Sequence, residues 1–296
     1  PTAQPLDAPA LLAMRPVVTV TMTDVPSALI RALMPPPADA TQADIPALTE
    51  AGLGERIKTL MLEIKNGEGD RTALNLSMDA SRLIARVAGD FTTKEVSLPR
   101  TAVSFEAAPD LIDRILRQYA PDIAAKGWGV ARPAWMNLEV MGTKVPLDAG
   151  FKPNLLAASP VKVRLTSSSP LILRGVAVDD GQGGMRSLGE LGVDGLEIDA
   201  DVPIGALLGP ALPEERSLST RIKTNLVGDR GQQIGTMNLT AKGDVSEGGP
   251  VGPLNATLGL DKLDMATIER FMGRTDGLLS GFVGNGAGAD ITLVAN

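Results

Sequence analysis

Apolar and polar residues alternate with a period of two over several stretches of this chain. Leu74, Leu76 and Met78 fall on one side of one stretch, with Asn75 and Ser77 on the other. Leu218, Ile222 and Leu226 alternate with Ser219, Arg221, Lys223 and Asn225. Met237, Leu239 and Ala241 alternate with Asn238, Thr240 and Lys242, and the same rhythm runs through Val161–Thr166 and Asp290–Ala295. Strands with one apolar and one wettable face are the mark of antiparallel sheets. Two hairpins follow. Arg56–Lys65 and Arg71–Met78 flank a turn of Asn, Gly, Glu, Gly and Asp. Leu218–Val227 and Ile234–Ala241 flank a second Gly- and Asp-bearing turn.

A second pattern overlays the first: a strand that ends at a small or acidic residue and passes into a short apolar helix. It is read five times. Val18–Pro26 precedes Leu29, Ile30 and Leu33; Leu74–Asp79 precedes Leu83, Ile84 and Val87. Val103–Ala108 precedes Leu111, Ile112 and Ile115; Leu196–Pro203 precedes Leu207 and Leu208; Leu258–Asp264 precedes Ile268, Phe271 and Met272. Asp24 and Asp201, each in an Asp-Val-Pro triplet, are expected to cap helices. The longest helices are predicted over Pro109–Tyr119 and Met265–Met272. Such recurrence suits an extended scaffold. The expected fold is mainly β (a β-rich α+β class): curved antiparallel sheet, groove-like or sandwich-like, with short capped helices at strand ends. Two β-rich regions with short helices, 1–150 and 151–296, or one continuous domain, accommodate these elements. Pro35–Ala40 reads as a stiff linker, and Lys126–Gly150, which holds Trp128 and Trp135, shows no clear period.

Composition narrows the function. Lys and Arg number 28 against 35 Asp and Glu, a net charge of −7. That balance lacks the basic face of a nucleic-acid binder. Zero Cys removes disulfides and thiolate chemistry, and zero His removes serine–histidine and cysteine–histidine catalysis. No run reaches the roughly 18 apolar residues of a membrane span, and the ends read as those of a segment from a longer chain. Ser159–Lys162 spells a serine–lysine frame, but Pro160 and a strand pattern separate the partners. Gly284–Gly288 precedes a strand, whereas a phosphate loop opens a helix. Asp179–Gly184 lacks the ligand spacing of a calcium loop. Glu63, Glu106 and Glu197 are the carboxylates a His-free hydrolase would have to draw on. No catalytic residue, metal or cofactor is assigned.

Leu254–Asp264, running into Ile268–Gly273, Asp276–Gly284 and Ala289–Leu293, resembles AsmA-like envelope proteins of bacteria. The likeness is one of texture over about 254–294, echoed by the earlier strand–helix phrases. It implies a non-catalytic protein of the periplasm or cell envelope, anchored through a segment outside this sequence, that shields or guides phospholipid for outer-membrane maintenance. Other envelope proteins would be its partners. Leu74, Leu76, Met78, Leu218, Ile222, Leu226, Met237 and Leu239 would then line an apolar β-groove. The alternatives are a structural or interaction module of the envelope with a closed core and no lipid, and a His-free hydrolase.

Overall fold

The structure is a computed structural model, and it describes residues 17–33, 45–148, 152–175, 177–179, 185–187, 190–208, 215–228, 231–246, 249–250, 252, 254–266, 269, 281, 284 and 286–295. The strands are β1 (Val18–Pro26), β2 (Arg56–Asn66), β3 (Thr72–Ala80), β4 (Leu83–Phe91), β5 (Glu95–Ala107), β6 (Gly129–Val130), β7 (Ala134–Pro146), β8 (Val161–Ser167) and β9 (Leu171–Arg174). They continue as β10 (Ala177–Asp179), β11 (Met185–Ser187), β12 (Leu191–Val202), β13 (Ser217–Val227), β14 (Gln233–Ser246), β15 (Gly249–Pro250), β16 (Leu254–Leu263) and β17 (Ala287–Ala295). Twelve of them form one path in the order β1-β2-β3-β4-β5-β7-β8-β12-β13-β14-β16-β17. Every neighbouring pair on that path is antiparallel. The result is an open, curved antiparallel sheet with a few short helices.

Spatial order follows chain order, and β2–β3, β3–β4, β4–β5 and β13–β14 are joined by short turns. Two excursions interrupt it. Between β5 and β7 come two helices, Pro109–Tyr119 and Pro121–Ala125, and then β6; between β8 and β12 come β9, β10 and β11. The excursions meet, since β6 pairs with β9 and β9 continues alongside β12. Gly175, at φ +72°, makes that meeting close: a Cβ there would lie 2.0 Å from the Gly127 carbonyl oxygen. The stretch 126–150, without a readable period in the sequence, contains the thirteen-residue β7. β7 pairs with β8, so the sheet runs without a break across residue 150.

The helices are α1 (Ser27–Leu33), α2 (Ile45–Leu53), α3 (Pro109–Tyr119), α4 (Pro121–Ala125) and α5 (Ile204–Leu208). They plug the strand ends. Leu53 of α2 packs with Ile57 and Ala80, with Val25, Leu60, Met78 and Leu83 around them. Ala107, Ala108 and Leu111 bury the junction of β5 with α3. At the opposite end, Gly205 of α5 presses against Leu156, whose carbonyl oxygen would lie 2.4 Å from an added Cβ.

Several expectations change. The strand–helix transition holds after β1, β5 and β12, but Leu83–Phe91 is the strand β4 and not a helix. Its helix-like spacing arises because Ile84 faces the opposite side of the sheet from Leu83 and Ala85, and is exposed. Asp24 and Asp201 are strand residues and do not cap. Asp24, at φ 57°, accepts from Arg56 Nε at 2.5 Å, while Asp201 accepts from Ser219 Oγ at 3.0 Å. A two-layer sandwich is absent among the described residues. The Pro35–Ala40 linker, Asp180–Gly184, Asp276–Ser280 and most of the helix expected over Met265–Met272 lie outside the described residues.

Plugs and strand middles should respond differently to truncation. Ile57, 2% exposed, is expected to lose about 2–5 kcal/mol on Ile57→Ala. The half-buried Leu76 is expected to lose clearly less on Leu76→Ala. Urea unfolding followed by circular dichroism compares the two.

Candidate functional site

Register decides what each face of this sheet carries, because directly opposed residues share a face. One row crosses all twelve strands as Val20, Leu62, Leu76, Val87, Thr101, Val140, Val163, Ala200, Thr220, Ala241, Ala256 and Leu293. Two residues along, a second row reads Met22, Leu60, Met78, Ala85, Val103, Leu138, Leu165, Ile198, Ile222, Leu239, Leu258 and Ile291. The second row has no polar residue, and the first has only two threonines. The Thr220 hydroxyl donates to the Asp199 carbonyl at 3.4 Å. Thr224, on the same face, is buried and donates to the Asp194 carbonyl at 2.9 Å.

The row between these two is of another kind: Thr21, Met61, Ser77, Arg86, Ala102, Glu139, Arg164, Asp199, Arg221, Thr240, Thr257 and Thr292. It lies on the opposite face, where the central strands carry an alternating ladder of charge. Arg100 pairs with Glu139, Arg164 bonds Glu197 and reaches Asp199 at 3.6 Å, and Asp199 stands opposite Arg221. The hydrogen bond to Glu197, then the charges of Glu197 and Asp199, push the Arg164 guanidinium pKa above its ordinary value. Exposed pairs of this sort add little stability; their placement favours one register over its neighbours. A depression of about 380 Å³ opens on this polar face, lined by Lys162, Asp199, Asp201, Ser219, Arg221 and Lys242 among others.

Among the described residues no second layer covers the apolar face, and in its two rows only Leu60 and Met78 pack beside a helix residue, Leu53. Of the 24 residues in its two rows only Ala85 is buried, at 7% exposure, and Leu293 at the rim reaches 62%. At about 4.8 Å between strands, twelve strands make each row roughly 50 Å long, with about 7 Å between the rows. That band is on the order of 350 Å², the size of the largest apolar patch on a typical monomer, which is often functional.

All eight residues singled out in the sequence lie on this face. Leu76 belongs to the first row, and Met78, Ile222 and Leu239 to the second; Leu74, Leu218, Leu226 and Met237 flank them by strand alternation. They fall into two groups about 30 Å apart, six strand spacings from β3 to β13. The residues that join the groups, Val87, Val103, Leu138, Val140, Leu165 and Ile198, were not foreseen as a site. Their signal is the same alternation in β7, β8 and β12, which becomes visible as a row only when register is known.

The three carboxylates of the hydrolase alternative are not gathered. Glu63 pairs with Lys65, Glu197 with Arg164, and Glu106 with Arg82, which also holds Asp110 at 3.0 Å. Glu106 and Asp110 edge a cavity of about 550 Å³ beside α2 and α3, together with Glu50, Glu55 and Arg114. Among the described residues no group of three or more carboxylates is placed to hold a metal ion. Among the described residues no helix is long and apolar enough to cross a membrane. The chain matches no family model, no curated protein and no solved structure.

An uncovered apolar face should bind an environment-sensitive apolar dye in the native state. Leu239→Lys, within the second row, is expected to cut dye fluorescence severalfold. Ser77→Lys, on the polar face, is expected to leave it unchanged; a fluorescence titration of both variants distinguishes the faces.

Proposed function

We propose that this protein is a non-catalytic, AsmA-like component of the bacterial cell envelope that shields or guides acyl lipid along the apolar face of its sheet. The observation that carries the reading is the pair of twelve-residue rows, apolar apart from two threonines and left half-exposed. A soluble domain ordinarily closes such a face with a second layer. Here the helices bury the strand ends, and the middles stay available. Removing a lipid's CH₂ groups from water is worth roughly 0.8 kcal/mol each. A band about 50 Å long could hold a whole chain and let it move without leaving apolar surroundings.

The two faces divide the work. Acyl chains lie along the rows, while the charged ladder from Arg100 to Arg221 keeps the other face in water. No proton transfer or nucleophile is needed. In this reading the protein acts in the periplasm, with phospholipid as cargo and other envelope proteins as donors and acceptors. The polar depression is unsuited to an acyl chain, because Lys162, Asp199, Asp201 and Arg221 line it.

Organic extracts of protein purified from a bacterial envelope are expected to contain phospholipid by mass spectrometry. Leu76→Asp and Ile222→Asp are expected to remove most of it while far-UV circular dichroism stays native, since both side chains are half-buried. No lipid in the wild type, together with unfolding of both variants, would favour the structural module instead.

A further inference from the structure

The two edges of the sheet are β1 and β17, each nine residues long. Edge strands expose one line of unpaired backbone N–H and C=O groups, and proteins usually guard them with Lys, Pro, a bulge or a covering element. Among the described residues neither strand is guarded in this way. β1 has no charged residue before Asp24, and its Pro26 stands at its end; β17 has one charge, Asp290, and no Pro or Lys. No register shift interrupts the pairing of Val18–Thr23 with β2 or of Ala289–Ala295 with β16. Both strands are exposed on both faces: Val20 (36%) and Met22 (44%) on one face of β1 and Thr19, Thr21 and Thr23 on the other, and Leu293 and Val294, which point to opposite faces, at 62% and 61%.

We propose that a second copy of this chain covers these edges head to tail, β17 of one copy pairing with β1 of the next. Direction permits it. In a path of twelve antiparallel strands the first and last run in opposite senses, so a following β1 extends the alternation. The faces permit it too, and they select the register. With Val20 opposite Leu293 and Met22 opposite Ile291, both apolar rows pass straight from one copy into the next. Thr21 then stands opposite Thr292 on the polar face. In this register Asp290 meets Thr23 and Asp24 meets Ala289, so no two carboxylates are opposed. A slip of one residue would place each row against the other copy's polar face.

Two-fold pairing of β17 with itself, or of β1 with itself, satisfies one edge and leaves the other nine-residue edge bare. The head-to-tail joint satisfies both with a single kind of contact. It is heterologous, so copies add in an open series and assembly grows with concentration. The inference rests on strand direction, register and edge exposure, and holds whether or not the apolar face carries lipid.

The absence of cysteine makes the test direct. Thr21→Cys and Thr292→Cys are prepared as separate proteins and treated with a short bifunctional thiol reagent, alone and mixed. Opposed residues in a strand pair lie about 5 Å apart, within reach of such a reagent. The mixture is expected to give a cross-linked dimer at least about tenfold above either protein alone. The variant carrying both substitutions should give a ladder of multimers, and wild-type sedimentation should rise with concentration past the dimer. Predominant cross-linking of Thr292→Cys alone, or of Thr21→Cys alone, would overturn the proposal in favour of a two-fold joint. A wild type that sediments as a monomer at all concentrations would overturn it outright.

Discussion

Everything in this molecule depends on the register of eleven consecutive antiparallel pairings. Side chains alternate faces with a period of two, so a slip of one residue in any pairing would turn the apolar rows of half the sheet toward the charged face. Among the described residues the register is fixed without a covering layer. Turns set it locally, as where Gly67 N donates to the Arg71 carbonyl at 3.0 Å to close the β2–β3 hairpin. Opposed charges, Glu139 to Arg164 and Asp199 to Arg221, reinforce it in the middle of the sheet. The register shifts fall outside the two apolar rows: Ile57/Thr59, Ala88/Asp90, Asp194/Glu197, Leu226/Val227 and Leu260/Leu263. Bulges there can bend and twist the strands without breaking a row.

The division between buried ends and open middles follows from what each segment can bury. The helices are short, five to eleven residues, too small to span a sheet of this width. They cover strand ends instead, where Leu53, Leu111 and Ala206 become buried. Arg174 ties the longest of them to the sheet, donating to both carboxylate oxygens of Asp113 at 2.7 and 2.6 Å. Most of the middles have no such cover among the described residues; Leu60 and Met78, which pack beside Leu53, Ile57 and Ala80, are the exceptions.

The class of fold was legible because alternation is a local signal. Leu74–Met78, Leu218–Leu226 and Met237–Ala241 showed it plainly, and both predicted hairpins are present as β2–β3 and β13–β14. Two failures share one cause. In β4, Leu83 and Ile84 sit side by side, and the apolar residue on the wrong face imitates helical spacing. In β7, Met141 and Trp135 face the polar side and blur the period of Met136, Leu138 and Val140. The misplaced caps differ: Asp24 and Asp201 have the right letters before a helix, but Arg56 and Ser219 on adjacent strands claim their carboxylates. The site was legible only as two fragments. Its continuity is a property of pairing between residues as far apart in sequence as Thr101 and Val140, and periodicity carries no such information.

A sheet whose strands touch only the strand before and the strand after is close to a one-dimensional object. Its cohesion is a sum of neighbour-to-neighbour terms, as in solenoid proteins, and not the property of a common centre. Thermal opening then begins at the two rims and travels inward, and a damaged inner strand divides the molecule into two shorter ribbons, each still able to hold its own pairings. Amide exchange in such a ribbon would grade from fast at Val20 and Leu293 to slow near Leu138 and Leu165, with the slowest protons midway along the chain of strands.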